Sequence, residues 1–298
     1  MSSSEEDNEN MCRPTTPNEA DCCGNGCDPC ILDVHKRLLE QWKTNKLAGV
    51  HERHKRNLLN LVEYKKFIVT GIETASADSI FIRLKYKGNI EHSAQLFLNP
   101  GQHVILHTPT LSRPFTPILW THNNLLLLVK LYAKGSFSNY AKQLKIDDQI
   151  DIRGPYGDFL YKSNSYEQIL MFSIGSGIAS LYPIAKSIII DNDEEETKIH
   201  LIAGFRSLAH VPLKKELRAL ADYWNFKCTL QISQDDGDIT LNGLKMEHGR
   251  LKEGIVRELL KYHSLQTTLI LICGTPEFND GLEKIIRDTR YLHYHIFK

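Results

Sequence analysis

From Gln168 onward, short apolar runs alternate with helix-length amphipathic stretches, and few folds accept that order. Gln168–Ile174, Ile199–Gly204, Phe226–Ser233 and Leu269–Cys273 read as strands; Ile178–Ile190, Leu213–Tyr223, Glu253–Tyr262 and Glu277–Thr289 read as helices. Parallel strands need a long crossover, usually a helix, so the alternation predicts a doubly wound, mainly parallel sheet over residues 165–298. The preceding stretch, 61–164, has a different texture. Ile80, Ile82 and Leu84 alternate with Phe81, Arg83 and Lys85, Leu125–Tyr132 is an apolar run broken at Lys130, and Asp151–Arg153 closes another. Turn signals at Asn99-Pro100-Gly101, Gly135 and Gly154-Pro155 separate these runs. Short strands between turns predict a small antiparallel β-barrel. The expected architecture is therefore a barrel followed by an α/β domain.

Residues 1–60 read as an appendage. Positions 1–21 are polar and contain proline, a composition that favours disorder. Ile31, Val34, Leu38 and Trp42 recur at helical spacing, so a short amphipathic helix over Cys30–Lys46 is expected to lay one stripe on the main body, and 47–60 reads as a charged linker. At 298 residues and 42% hydrophobic, the chain can bury two modest cores. Lys+Arg and Asp+Glu each total 36, which leaves no overall basic footprint for nucleic acid, although a local basic face could still dock an acidic partner. No apolar run is long enough to span a bilayer, and MSSSEEDNEN has no signal-peptide core. A cytoplasmic setting with reduced thiols is expected.

Three segments have side chains suited to a two-cofactor cleft. Arg113-Pro114-Phe115-Thr116-Pro117 combines a guanidinium fork for phosphate, a ring to pack on a flat heterocycle, and a hydroxyl, all stiffened by two prolines. Ile174-Gly175-Ser176-Gly177-Ile178 follows a strand and opens a helix, where backbone amides can approach a phosphate. Cys273-Gly274-Thr275-Pro276 ends the last of the four strands, at the edge where such sheets bind ligands.

The barrel segment carries further motifs in order: Pro100-Gly101-Gln102-His103, Leu128-Val129-Lys130-Leu131-Tyr132, Gly135-Ser136-Phe137-Ser138-Asn139-Tyr140 and Arg153-Gly154-Pro155-Tyr156-Gly157. Over Leu61–Phe297 the chain resembles the ferredoxin–NADP reductase superfamily, and within it the NADH–cytochrome b5 reductase branch. The resemblance implies a soluble FAD-dependent oxidoreductase that takes hydride from NADH and passes single electrons to a haem protein such as cytochrome b5. It implies that Arg113 holds the FAD pyrophosphate, with Pro114 and Phe115 beside it. Thr116 would hydrogen-bond near flavin N5. Leu128, Lys130 and Tyr132 would line the flavin and ribityl chain. Gly135, Ser136, Phe137 and Ser138 would turn a helix N-terminus to phosphate, with Ser138 as its cap. Gly175, Ser176 and Gly177 would contact both cofactors, and Cys273, Gly274 and Pro276 would sit at the nicotinamide. Thr116 and Cys273 would then stand at the reacting atoms.

The sequence departs from the family pattern at several positions. Phe115 stands for Tyr, Phe137 for Met, Ala179 and Ser180 for Thr and Pro, and Thr275 for Pro. These changes leave open a degenerate binding protein that has lost turnover, with the N-terminal cysteine cluster as its functional site. Coenzyme choice is also open. His210 falls about where b5 reductases carry an acidic residue for the NADH ribose, while Arg206-Ser207 could grip the 2′-phosphate of NADPH.

Cys12, Cys22, Cys23, Cys27 and Cys30 cluster near the start, and Cys228 and Cys273 stand alone. Cys22, Cys23, Cys27 and Cys30 could hold a soft metal, or form a reduced docking element resembling the small oxidoreductase-like N-terminal domain. Cys228 reads as a buried apolar residue. His51 and His54 are expected to be solvated, and His293 and His295 to be surface or core residues without a metal.

Overall fold

The computed structural model describes residues 16–17, 30–48, 57–90, 94–108, 111–234, 241 and 243–297. The alternating strands of the first domain form one antiparallel sheet: β1 (Lys65–Ser76), β2 (Ser79–Tyr86), β3 (His103–His107), β4 (Ser112–Phe115), β5 (Pro117–Trp120), β6 (Asn124–Lys130) and β7 (Gln149–Tyr156), in the order β4-β3-β7-β1-β2-β6-β5. The two edge strands, β4 and β5, are consecutive in the chain with Thr116 between them. One bent segment therefore closes the sheet into a barrel and protects its edges. Phe67, Val69, Leu84, Val104, Leu127 and Ile152 fill it, and Phe137 and Ala141 of helix α2 (Ser136–Gln143) join the same core.

Three expectations for this half change. Leu58 and Leu59, read as linker, are each 5% exposed inside the barrel core, because Leu58 N donates to Gln95 O at 3.0 Å and draws the segment onto the sheet. Gly154-Pro155, read as a turn, lies within β7. Strand β6 stops at Lys130, short of the expected Tyr132, because the Tyr132 amide donates to Ser138 Oγ at 2.8 Å.

The second domain is parallel throughout. Its strands β8 (Gln168–Ile174), β9 (Lys198–Phe205), β10 (Phe226–Ile232), β11 (Lys245–His248), β12 (Thr268–Cys273) and β13 (Tyr294–Phe297) lie in the order β11-β10-β9-β8-β12-β13. Strand β11 escaped the sequence reading because its four residues, Lys-Met-Glu-His, lack an apolar run. Helices α3 (Ile178–Ile189) and α4 (Lys214–Ala221) cover one face, packing Ile184 and Leu217 with Met171 and Leu201. Helices α5 (Glu253–Leu260) and α6 (Pro276–Thr289) cover the other, packing Val256 and Ile286 with Phe172 and Ile270. Both faces of β8 are thus buried, which is why Gln168–Ile174 reads as a continuous apolar run.

Helix α1 (Ile31–Ala48) docks on the outside of the barrel, with Val34 against Ile105 and Tyr156. Cys12, Cys22, Cys23, Cys27, His51 and His54 lie outside the described residues, as does the side chain of Trp42.

Candidate functional site

The strand order of the parallel sheet reverses at β8, with β9 on one side and β12 on the other. The C-terminal ends of β8 and β12 are therefore a switch point, where the crossovers leave in opposite directions and open a crevice. Gly175–Gly177 form a short 3₁₀ turn at one end, and Cys273-Gly274 the other. The barrel presents its Thr116 corner to this crevice. Between the two domains lies a cleft of about 1540 Å³, and every cofactor-site residue expected from the sequence lines it: Arg113 to Thr116, Leu128, Lys130, Tyr132, Gly135 to Ser138, Gly175 to Gly177, Arg206, Cys273, Gly274 and Pro276.

At the barrel wall, Arg113 is exposed to the cleft, and its Nη1 donates to Ser112 O at 3.0 Å. Lys130 is aimed differently. Its ammonium pairs with Asp78 at 3.2 Å and lies 5.8 Å from the centre of the Tyr132 ring. Burial works to raise the Asp78 pKa, but Lys130 and the hydroxyls of Ser76 and Ser79 hold it below the usual carboxylate range. Asp78 sits in the tight turn between β1 and β2 and carries no motif, so the sequence reading missed it. Ser138 proves not to be the helix cap. Gly135 is the N-cap of α2, with no side chain capping it, and the Ser138 hydroxyl instead binds the Tyr132 amide. The first amides of α2 are left without intrahelical partners beside the cleft, as an anion requires.

On the parallel sheet, Gly175 adopts φ +56, and a Cβ there would lie 3.2 Å from Lys130 Nζ. Thr116 Oγ1 lies 3.1 Å from Ser180 Oγ, and Cys273 Sγ donates to the same Ser180 oxygen at 3.5 Å. Burial pushes the Cys273 thiol pKa up, so it stays a neutral donor. At the far end of the cleft, Arg206 is exposed, and His210 Nδ1 is tied to Ser207 Oγ at 2.7 Å. Val34, Arg37 and Leu38 of α1 and Arg250 also line the cleft; no local motif marked them.

A flavin dinucleotide needs a flat apolar wall and an anion-binding end. Phe115, Leu128 and Phe137 provide the first, and Arg113 with the open amides of α2 the second, so the residues fit the group.

The oxidoreductase FAD-binding domain profile matches residues 66–161, and the oxidoreductase NAD-binding domain profile matches 171–284. The human NADH-cytochrome b5 reductase-like protein is 30% identical over 290 residues, covering 92% of this chain and 90% of that one. The chain belongs to the NADH–cytochrome b5 reductase-like family. NADH-cytochrome b5 reductase 1 of Dictyostelium discoideum is 28% identical over 259 residues, covering 80% of this chain and 83% of its own. Among solved structures, the cytochrome b5 reductase domain of Ulva prolifera nitrate reductase shares the fold at a TM-score of 0.65 and 22% identity, over 77% of this chain and 95% of that one.

Within this b5 reductase-like frame, several departures from the family pattern acquire a local cause. Phe115 and Phe137 touch each other, ring centroids 4.6 Å apart, so the two departures meet in one apolar contact. Thr275 is the N-cap of α6, its hydroxyl accepting from Phe278 N at 3.4 Å, with Pro276 at the first helical turn. Ser180 supplies the hydroxyl that joins Thr116 to Cys273. Cys228 is 2% exposed and its thiol is pushed up to about 12 by burial, in keeping with an inert core residue. His295 packs at a tilt against Phe159, ring centroids 5.1 Å apart, and His293 meets Tyr166 edge to face at 5.4 Å. Among the described residues, no three potential ligands gather to hold a metal, and no helix is long and apolar enough to cross a membrane.

Proposed function

We propose that this chain is an FAD-dependent oxidoreductase that takes hydride from NADH and delivers single electrons to a haem protein of the cytochrome b5 kind. One observation carries the reading. Thr116 belongs to the FAD-binding domain and Cys273 to the NAD-binding domain, yet both hydrogen-bond to Ser180. Hydride passes only between rings held in contact, and with Thr116 at the flavin and Cys273 at the nicotinamide the two ring sites would lie side by side. Bound flavin would supply the hydride acceptor and the means of releasing electrons singly. Arg113 and the amides of α2 would hold its pyrophosphate. Lys130, kept in place by Asp78, would line its ribityl side. Thr116 would offer a hydroxyl at N5, and Cys273 would set the nicotinamide position without acting as a nucleophile. The acceptor class rests on the names of the relatives. A cytosolic location belongs to the same reading.

The test is the visible spectrum of the purified protein before and after anaerobic NADH. A bound flavin spectrum that bleaches, followed by reduction of added cytochrome b5, is expected. Protein that cannot be loaded with FAD would overturn the reading in favour of a binding protein.

A second reading, with NADPH as donor, has one observation behind it. Arg206 and Arg250 both line the cleft, and Arg206 follows β9, the second strand of the sheet, where a ribose 2′-substituent is recognised in this kind of fold.

A further inference from the structure

We propose that Ser180 is a positioning residue for Thr116: its hydroxyl fixes the direction of the Thr116 proton, so that Thr116 meets the flavin as a hydrogen-bond donor. The inference rests on the reading above that Thr116 faces flavin N5. Ser180 lies in the first turn of α3, is 8% exposed, and occupies a position where the family pattern carries proline, which has no donor to offer. A serine hydroxyl has one proton and two lone pairs. The Cys273 thiol, neutral and half-buried, donates into one lone pair at 3.5 Å. Either hydroxyl could donate across the 3.1 Å between Ser180 Oγ and Thr116 Oγ1; with the thiol donating, Thr116 Oγ1 is the acceptor left to the Ser180 proton among its described partners, and a buried hydroxyl needs one. Thr116 accepts that bond, and its own proton is left for the cleft.

The three groups come from the barrel corner, from α3 and from the end of β12. The direction of the chain is therefore set by a thiol that accepts poorly and donates adequately, not by any residue of the barrel itself. A donor aimed at N5 suits the oxidised cofactor, in which that atom offers a lone pair. It suits the reduced cofactor less, because N5 then bears hydrogen. Ser180 thus biases the bound flavin toward its oxidised state.

The experiment is a spectroelectrochemical titration of the FAD-loaded protein and of Ser180→Ala, Ser180→Thr and Thr116→Ala. Ser180→Ala is expected to shift the oxidised-to-reduced equilibrium toward reduction by about tenfold, a rise of about 30 mV for a two-electron couple. Ser180→Thr, which keeps the hydroxyl, should stay with the parent. Thr116→Ala should shift in the same direction, and the double variant should go no further than Thr116→Ala alone. A merely structural Ser180 would alter melting temperature and leave the potential unmoved. If Thr116→Ala shifts the potential and Ser180→Ala does not, the positioning role is wrong while the flavin reading stands. If Thr116→Ala has no effect, the placement of Thr116 at the flavin fails, and the role of Ser180 with it.

Discussion

The carbonyl oxygen of Cys273 sits so close to Gly177 that a Cβ on that glycine would overlap it. The turn opening α3 and the end of β12 are thus in backbone contact, and this contact sets the depth of the crevice between them. Gly177→Ala must push β12 away. It is expected to cost at least about 1–3 kcal/mol, the usual penalty for overpacking a rigid site, and to weaken NADH binding. Gly281, inside α6 with no atom within 4 Å of an added methyl, is the control: Gly281→Ala should be neutral or gain about 0.5–1 kcal/mol from helix propensity. Thermal melts of both variants, with NADH titrations, check the pair.

Arg113→Ala should weaken FAD binding by roughly ten- to a hundredfold, from about 1.5–3 kcal/mol for a hydrogen bond to a charged group. Arg113→Lys should recover part of this and not all, because an ammonium lacks the planar fork. Flavin fluorescence titration of the apoprotein reads both. Equal affinity in the parent and Arg113→Ala would remove Arg113 from the pyrophosphate site.

Arg206→Ala and Arg250→Ala separate the coenzymes. Under the NADH reading, neither change should alter kcat/KM for NADH by more than about threefold, since an exposed cation with no phosphate to meet contributes little. A loss of tenfold or more confined to NADPH would assign the 2′-phosphate to these arginines and move the donor to NADPH. Steady-state ferricyanide reduction with each coenzyme gives the ratio.

His200 predicts a pH dependence of stability. It is a buried residue of β9, bonded to Thr229 Oγ1 of β10 at 2.9 Å, and its pKa is pushed down to about 4 by burial, with Lys227, His263 and Lys245 adding to the effect against a smaller opposing pull from Glu247. The folded state therefore binds its proton later than the unfolded state, whose His titrates near 6.5. The stability linked to His200 is fully present above about 6.5 and is lost as pH falls from there toward 4, by up to about 1.4 kcal/mol per pH unit. His200→Gln should flatten urea-melt stability over that window relative to the parent, at some loss of stability near neutral pH.

Much of this protein was readable from local order alone. The period of apolar residues gave the barrel-then-α/β order and most elements of the second domain, because a strand buried on both faces and a helix with one apolar stripe each leave a local signature, as Gln168–Ile174 and Ile178–Ile189 do. The residues lining the cleft were also legible, since phosphate and ring recognition demand particular side chains at short spacing, as in Arg113 to Thr116. What no local pattern could show were pairings between distant segments. Asp78 in the β1–β2 turn holds Lys130 at the end of β6, α1 brings Arg37 to the cleft, Leu58 and Leu59 enter a core from a charged stretch, and Phe115 touches Phe137. Ser180 is the clearest case. By sequence it is a departure from a motif, and only the docking of barrel, helix and strand places its hydroxyl between Thr116 and Cys273. Periodicity reports which face of an element is buried, whereas the partner buried against it depends on chain crossings that the tertiary structure alone decides.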